Sequence, residues 1–333
     1  MILLNLLFIW VLMSGYSRGI DIGNYRNDYI TVAFRNYVSV FTDPGYSLLV
    51  KICALQGLSF FQFKKIVSAI FISILFVGIY RLKVNNMYVL GCYLMYQVVM
   101  DSIQYRNFLG MTLVVLGFSF LQRNDLKGKM IYGIFVVLAS AFHTVMIVYL
   151  LYLLKDNKWI KKYYKKLLIV LVLLISIMTY LNNRRIPFIE NVITLFLRGD
   201  TLNIGYLQTD SSIAFLLPLL SLIMYIILLY IYTKRKKIWI LDWVYSIDII
   251  SLLFIPFCIM SFQWYRIIRN MNILNYCAIQ KECSHLRSEK QRINIYACSI
   301  LIIVFWMYCD FYRFIGLEGT KTIFMNNFFL GIN

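Results

Sequence analysis

A few short stretches of this 333-residue chain hold the residues that could do chemistry. Asp101-Ser-Ile-Gln-Tyr-Arg106 joins the apolar runs 87–100 and 107–121. A helix needs about 20 residues to cross hydrocarbon, so runs this short draw their shared apex into the membrane. An arginine on a membrane span costs roughly 2.5–3.5 kcal/mol at mid-depth. Arg106 is therefore expected either to close the turn against Asp101 or to hold a diphosphate ester. Trp264-Tyr265-Arg266-Ile-Ile-Arg269 puts two guanidiniums on one helix face. They repel unless an anion lies between them, and a diphosphate has the right charge; snorkelling beside interfacial aromatics is the plainer alternative.

His143 is the histidine placed inside an apolar run, after Ala139-Ser140-Ala141 and before Thr144. A neutral imidazole there can act as a base or as an ordinary buried hydrogen-bonder, and no neighbouring ligand suggests a metal. His285 falls among charges and reads as solvated. The first polar stretch holds Asp21, Asp28 and Asp43 with Tyr25, Tyr29 and Tyr46. Carboxylates beside aromatic rings suit sugars, one orienting or deprotonating a hydroxyl while the ring stacks on the pyranose; solvated loop acids are the bland reading. A second polar stretch carries Arg184, Arg185, Glu190, Arg198, Asp200 and Asp210, and it is long for a connection without function.

Several chemistries are missing. The chain has no P-loop, H-E-x-x-H, G-x-G-x-x-G or D-x-D, so neither a nucleotide nor a nucleotide-sugar metal is expected. Gly15-Tyr-Ser17-Arg-Gly19 matches the hydrolase G-x-S-x-G pattern, but that motif needs a strand–turn–helix setting, and here it ends an apolar segment. Asp248 sits inside an apolar run with no partner identifiable from sequence.

The elements that must position these residues are membrane helices. Apolar residues make up 61% of the chain and charged ones 14%, with mean hydropathy +0.72, against about 25% charged in soluble domains. Apolar runs fall near 2–17, 66–80, 87–100, 107–121, 130–154, 167–181, 213–232, 238–262, 267–279 and 293–309. They predict an all-α polytopic transmembrane bundle of about 9–11 spans. With four prolines and no linker-like tract, residues 1–333 read as one membrane domain with external loops 18–65 and 182–212. Residues 2–13 read as a retained first span, because no cation precedes them and no cleavage pattern follows. The seven cysteines form no C-x-x-C pair and mostly lie in apolar runs, which excludes a disulfide framework or a zinc site.

The net charge of +18 would suit a nucleic-acid binder, yet the cations cluster between apolar runs as cytoplasmic loops require. Stretches 81–83, 123–129, 155–166, 234–237 and 281–292 are expected inside. Both flanks of 130–154 are then basic, so that segment is expected to break and return near Ala139–His143, while 45–62 is expected to be an outer-surface helix. On this topology 5 Arg and 14 Lys lie inside and 10 Arg and 4 Lys outside. Arginine matches phosphate oxygens with a planar fork, which points to an anionic substrate on the outer side; external loops needing some cations explains the bias equally.

Five landmarks in order carry a family resemblance: Asp21-x-x-x-Tyr25, Asp43-Pro44-Gly45-Tyr46 opening a short helix, Tyr105-Arg106-Asn107 opening a span, Phe142-His143-Thr144, and Trp264-Tyr265-Arg266. Their order and spacing resemble the EpsG-like group of Wzy-type polymerases of capsule, O-antigen and exopolysaccharide pathways. Many of its members carry Glu where this chain has Asp43 and Gln where it has Asn107. The resemblance implies a cofactor-free glycosyltransferase in the bacterial inner membrane. It joins undecaprenyl-pyrophosphate-linked oligosaccharide units at the outer face, among membrane lipids and with a possible chain-length regulator protein as partner. On that reading His143, Asp21 and Asp43 are the catalytic candidates. Arg106, Arg266, Arg269 and Arg185 grip pyrophosphate, and Tyr25, Tyr46 and Tyr105 contact sugar. A membrane O-acyltransferase of surface glycans and a lipid-linked oligosaccharide flippase are the alternatives.

Overall fold

A computed structural model of the chain describes residues 1–18, 20–35, 43–123, 125–156, 165–186, 215–233, 239–314, 316–327 and 329. Among these, every regular element is helical, with one isolated antiparallel bridge between Tyr16 and Asn327. Among the described residues, three helical stretches are long and apolar enough to cross a membrane: Phe60–Arg81, Trp243–Met260 and Glu289–Tyr312. Six shorter apolar helices accompany them, and the faces of several, such as Leu171, Leu173, Leu174 and Ile177, stay exposed. A water-soluble protein would bury such a stripe, whereas lipid solvates it. This is a helical membrane protein.

The chain divides into two compact units, one of Met1–Tyr149 with Ser299–Asn333 and one of Leu150–Cys298. In the first, α1 (Ile2–Gly15), α2 (Ile20–Arg35), α3 (Pro44–Leu55), α4 (Phe60–Arg81), α5 (Asn86–Met95), α6 (Gln97–Ile103), α7 (Tyr105–Leu121) and α8 (Leu126–Phe142) follow in order. Helix α7 is the axis, buried along nearly its whole length, with α4 and α8 against it. Gly78 of α4 makes the first contact possible: a Cβ there would stand 3.0 Å from the Leu116 backbone nitrogen. Small residues allow this close approach between membrane helices.

The stretch expected as external loop 18–65 is largely helical. Helix α4 begins at Phe60, not at 66, and a capping box explains the start: Ser59 Oγ accepts from Gln62 N, and Gln62 Oε1 accepts from Ser59 N at 2.8 Å. Lys64, within this added stretch, is buried; its Nζ donates to the Tyr16 carbonyl at 2.8 Å and stands over the Tyr16 and Tyr105 rings. The run 87–100 is split at Tyr96, whose backbone leaves helical geometry (φ −142°, ψ −63°) and whose hydroxyl donates to Asp310.

Helix α8 stops at His143, which is extended (φ −155°, ψ 108°), and a 3₁₀ helix follows over Thr144–Asp156. Thirteen residues of 3₁₀ helix is long for a form normally seen in runs of three or four. Its early part lies back along α8, because Tyr132 Oη donates to the Tyr149 carbonyl at 2.7 Å.

The second unit contains α9 (Lys165–Leu181), α10 (Leu216–Thr233), α11 (Trp239–Ser251), α12 (Ile255–Met260), α13 (Tyr265–Asn270) and α14 (Asn272–His285). Short 3₁₀ turns join α11 to α12 and α12 to α13, so 263–266 is helical. Helix α14 is polar by composition yet buries Asn272, Asn275, Gln280 and Glu282. Helix α15 (Glu289–Met307), a π-helical turn over Tyr308–Phe314 and α16 (Gly316–Met325) complete the chain. The end of the chain is tied to its start: Asn327 Nδ2 donates to the Val11 carbonyl at 2.9 Å.

Candidate active site

Asp43 is the centre of the site. It precedes Pro44 at the N-cap of α3, where aspartate ordinarily bonds the first turn of its own helix, yet it makes no such bond. Its backbone is left-handed (φ 47°, ψ 54°), a conformation that costs a non-glycine residue roughly 1 kcal/mol. The side chain is thereby turned outward to another element. Oδ1 accepts from Thr144 N at 2.9 Å and from Thr144 Oγ1 at 3.1 Å. Asp43 thus caps the 3₁₀ helix that begins where α8 breaks. Gly45 permits the contact, since a Cβ there would come within 3.0 Å of Ala141 Cβ.

Oδ2 of Asp43 faces two cationic or potentially cationic groups. Arg106 Nη1 donates to it at 2.9 Å, and His143 Nδ1 lies at 3.9 Å, within ion-pair range but beyond a hydrogen bond. Arg106 Nη2 donates to Asp28 Oδ2 at 3.0 Å. The guanidinium also lies 5.2 Å from the Tyr25 ring centre and 5.3 Å from that of Tyr46, close enough for cation–π attraction. Burial alone would push the Asp43 carboxyl up. His143, the Arg106 guanidinium and the Thr144 N–H outweigh it and hold the carboxyl below the usual carboxylate range.

The expected residues separate by environment. Tyr25, Asp43, Tyr46, Tyr105, Arg106 and His143 come together in the first unit. The Asp101–Arg106 turn closure is not formed: Asp101 is fully buried and accepts from Tyr93 Oη at 2.9 Å. Asp21, in the first turn of α2, lies beside Tyr16, while Asp28, two turns further on, takes the place on Arg106. Tyr105 is fully buried, its hydroxyl 3.1 Å from Ser68 Oγ, and Tyr46 is nearly so, with a hydroxyl lacking any hydrogen-bond partner among the described residues. Of the three tyrosines only Tyr25 reaches the surface.

Arg266 and Arg269 lie on α13 in the second unit. Arg269 is fully buried and donates to Tyr265 Oη at 3.0 Å; Arg266 is half-buried, with an Nε that has no partner among the described residues. Arg185 is exposed in the turn after α9, where Asn183 and Arg184 both have positive φ. Glu190, Arg198, Asp200 and Asp210 lie outside the described residues. Sequence reasoning missed the roles of Asp28 and Thr144. The spacing of Asp21, Tyr25 and Asp28 on one face of α2 is the signal that points to Asp28, and the polar composition of the segment hides the helix. No group of three or more His, Cys, Asp or Glu side chains among the described residues could hold a metal.

A carboxylate that accepts from three donors and sits beside an imidazole thus lies within a helical membrane protein. The EpsG family pattern matches residues 1–324, and the chain belongs to the EpsG family. That membership points to polysaccharide-polymerase chemistry in a membrane. No curated protein and no solved structure matches the chain.

Proposed function

We propose that the protein is a polymerase that joins polyprenyl-pyrophosphate-linked oligosaccharide units at the outer face of the bacterial inner membrane. The observation that carries this reading is the Asp43–His143–Arg106 arrangement. His143 turns Nδ1 toward Asp43, and in this scheme Nε2 takes the proton from the acceptor sugar hydroxyl. As that proton arrives, the imidazolium gains charge beside a carboxylate held ionised. The hydroxyl oxygen forms the new bond to the anomeric carbon of the growing chain. The bond from that carbon to the carrier pyrophosphate breaks, and the pyrophosphate leaves with the electron pair.

Arg106 is a positioning residue in this scheme, fixing Asp43 through one amino group. Its other amino group is matched to Asp28, the more exposed acid at 38% against 10% for Asp43. A substrate phosphate oxygen can replace Asp28 there without disturbing the grip on Asp43. Arg266, Arg269 and Arg185, all in the second unit, are the remaining pyrophosphate candidates, and Tyr25 is the surface for a sugar ring. The break at His143 and the Tyr132–Tyr149 contact support a segment that turns back along α8. Reporter fusions after residues 125 and 160 are expected to read cytoplasmic; an outward signal at 160 alone would make the segment a plain crossing.

The test is glycan chain length in cells carrying His143→Ala at normal protein level. Long polymer is expected to vanish while the lipid-linked single unit persists. Full-length polymer from that variant removes His143 as the base. Loss of single units as well favours a flippase, and unchanged lengths with missing acyl groups favour an acyltransferase.

A further inference from the structure

At the far end of α4 and α7 lies a second candidate site. The two helices run parallel: their starts meet where Phe63 packs on Tyr105, and their ends meet where Arg81 Nε donates to Ser119 Oγ at 3.0 Å. The 17 residues of α7 set the two ends about 25 Å apart. At the Arg81 end is a cavity of about 630 Å³ lined by Arg81, Lys83, Arg123, Asn86, Ser119 and Gln122 among others, with no acid in its wall.

Loop cations that only set topology need no fixed geometry, yet these have one. Arg81 is stacked on Phe120 at 4.2 Å and tethered through Nε, and its two terminal amino groups have no protein partner among the described residues. Gln122 Nε2 holds both the Arg81 and the Ser119 carbonyls, at 3.1 and 2.7 Å. Lys83 occupies the residue past the end of α4 with φ 56°, where glycine is the usual choice. A cation is thus kept in a strained position at the rim of the cavity. A guanidinium anchored by Nε with its amino fork open is the geometry that receives two phosphate oxygens. Basic pockets between membrane helices on the cytoplasmic side bind acidic headgroups.

We infer that the cavity walled by Arg81, Lys83 and Arg123 is a binding site for a phosphate group, supplied by an acidic phospholipid headgroup or by a soluble phosphate. The site is separate from the Asp43–His143 centre, so its test does not depend on polymer synthesis.

The full-length protein and the Arg81→Gln/Arg123→Gln double variant are purified and compared by native mass spectrometry with dioleoylphosphatidylglycerol, dioleoylphosphatidylcholine and inorganic phosphate. Lys127 and Lys129 remain, so the charge that orients the loop persists. Wild type is expected to retain phosphatidylglycerol at least tenfold more than the variant, with no difference for phosphatidylcholine; phosphate binding in place of lipid binding assigns the soluble source. Lys83→Gly guards against misfolding, since glycine relieves the strained φ. Its thermal midpoint is expected to equal or exceed that of wild type while phosphatidylglycerol retention falls about threefold. Equal retention of every ligand by wild type and both variants overturns the site.

Discussion

Asp43 and Asp248 are both buried acids, one in each compact unit, and the protein treats them differently. Asp43 accepts from Arg106 and twice from Thr144, with His143 close by. Asp248, fully buried on α11, has one amide: Asn275 Nδ2 donates to its Oδ1 at 3.3 Å, and its Oδ2 has no hydrogen-bond partner among the described residues. Desolvating a charge is costly unless it is paired and hydrogen-bonded, so only the first acid has the surroundings to work as a carboxylate. Burial of an acid in a membrane helix is therefore a weak pointer to catalysis. Its donors decide.

The sharpest way to break this contrast is to remove the cation. Arg106→Ala strands two carboxylates, one of them buried, and a broken buried pair costs roughly 3–5 kcal/mol. Long polymer is expected to disappear and the thermal midpoint to fall. Because Arg106 bridges two acids with separate amino groups, Arg106→Lys is expected to recover only part of either. Near-normal stability in Arg106→Ala would mean the cluster holds nothing together.

Isosteric amides compare the two acids directly. Asp43→Asn loses the charge that Arg106 and His143 compensate and is expected to cost about 2–3 kcal/mol and most polymer. Asp248→Asn alters an acid that lacks the surroundings to hold a charge and is expected to change stability by less than about 1 kcal/mol. Equal losses at both sites would erase the distinction. The pH response adds a sign. The folded-state carboxyl of Asp43 lies below its unfolded value, so its contribution is present above the unfolded carboxylate range. It is lost as pH falls through the lower folded value. Thermal midpoints taken from pH 7 down to pH 3 should converge for wild type and Asp43→Asn at the acid end.

Much of this arrangement was legible in the residues. The apolar runs located most helices, and Arg106, His143, Asp43 and Tyr46 were identified by type and spacing. What was not legible has physical causes. Helix α2 is polar, so apolar periodicity could not reveal it, and Asp28 was lost with it. Helix α14 continues past the expected run 267–279 to His285, burying Glu282 where the charges of 281–292 suggest a loop. The turn at Tyr96 has neither proline nor glycine to announce it. Closure of Arg106 on Asp101, five residues away, was one of two expectations; Arg106 reaches Asp28 and Asp43, a pairing that only tertiary packing determines.

Two smaller changes refine the picture within the first unit. Asp28→Asn removes the exposed acid and leaves Arg106 on Asp43. Polymer is expected to persist, stability to shift by under about 1 kcal/mol, and KM for the lipid-linked donor to fall if Asp28 occupies the place of a phosphate oxygen; an unchanged KM removes that role. Tyr46→Phe deletes a hydroxyl with no partner among the described residues, so the thermal midpoint should stay level or rise slightly. A drop in polymer without a drop in stability would show that this hydroxyl meets substrate.

The bond from Thr144 N to Asp43 links residues 101 positions apart. During synthesis, the aspartate emerges from the ribosome long before the backbone it must cap. Until the segment carrying His143 and Thr144 has been made and docked, Asp43 and Arg106 are present without the imidazole and the backbone N–H that complete their surroundings. The Asp43 cluster is therefore completed only after the middle third of the chain has begun to emerge.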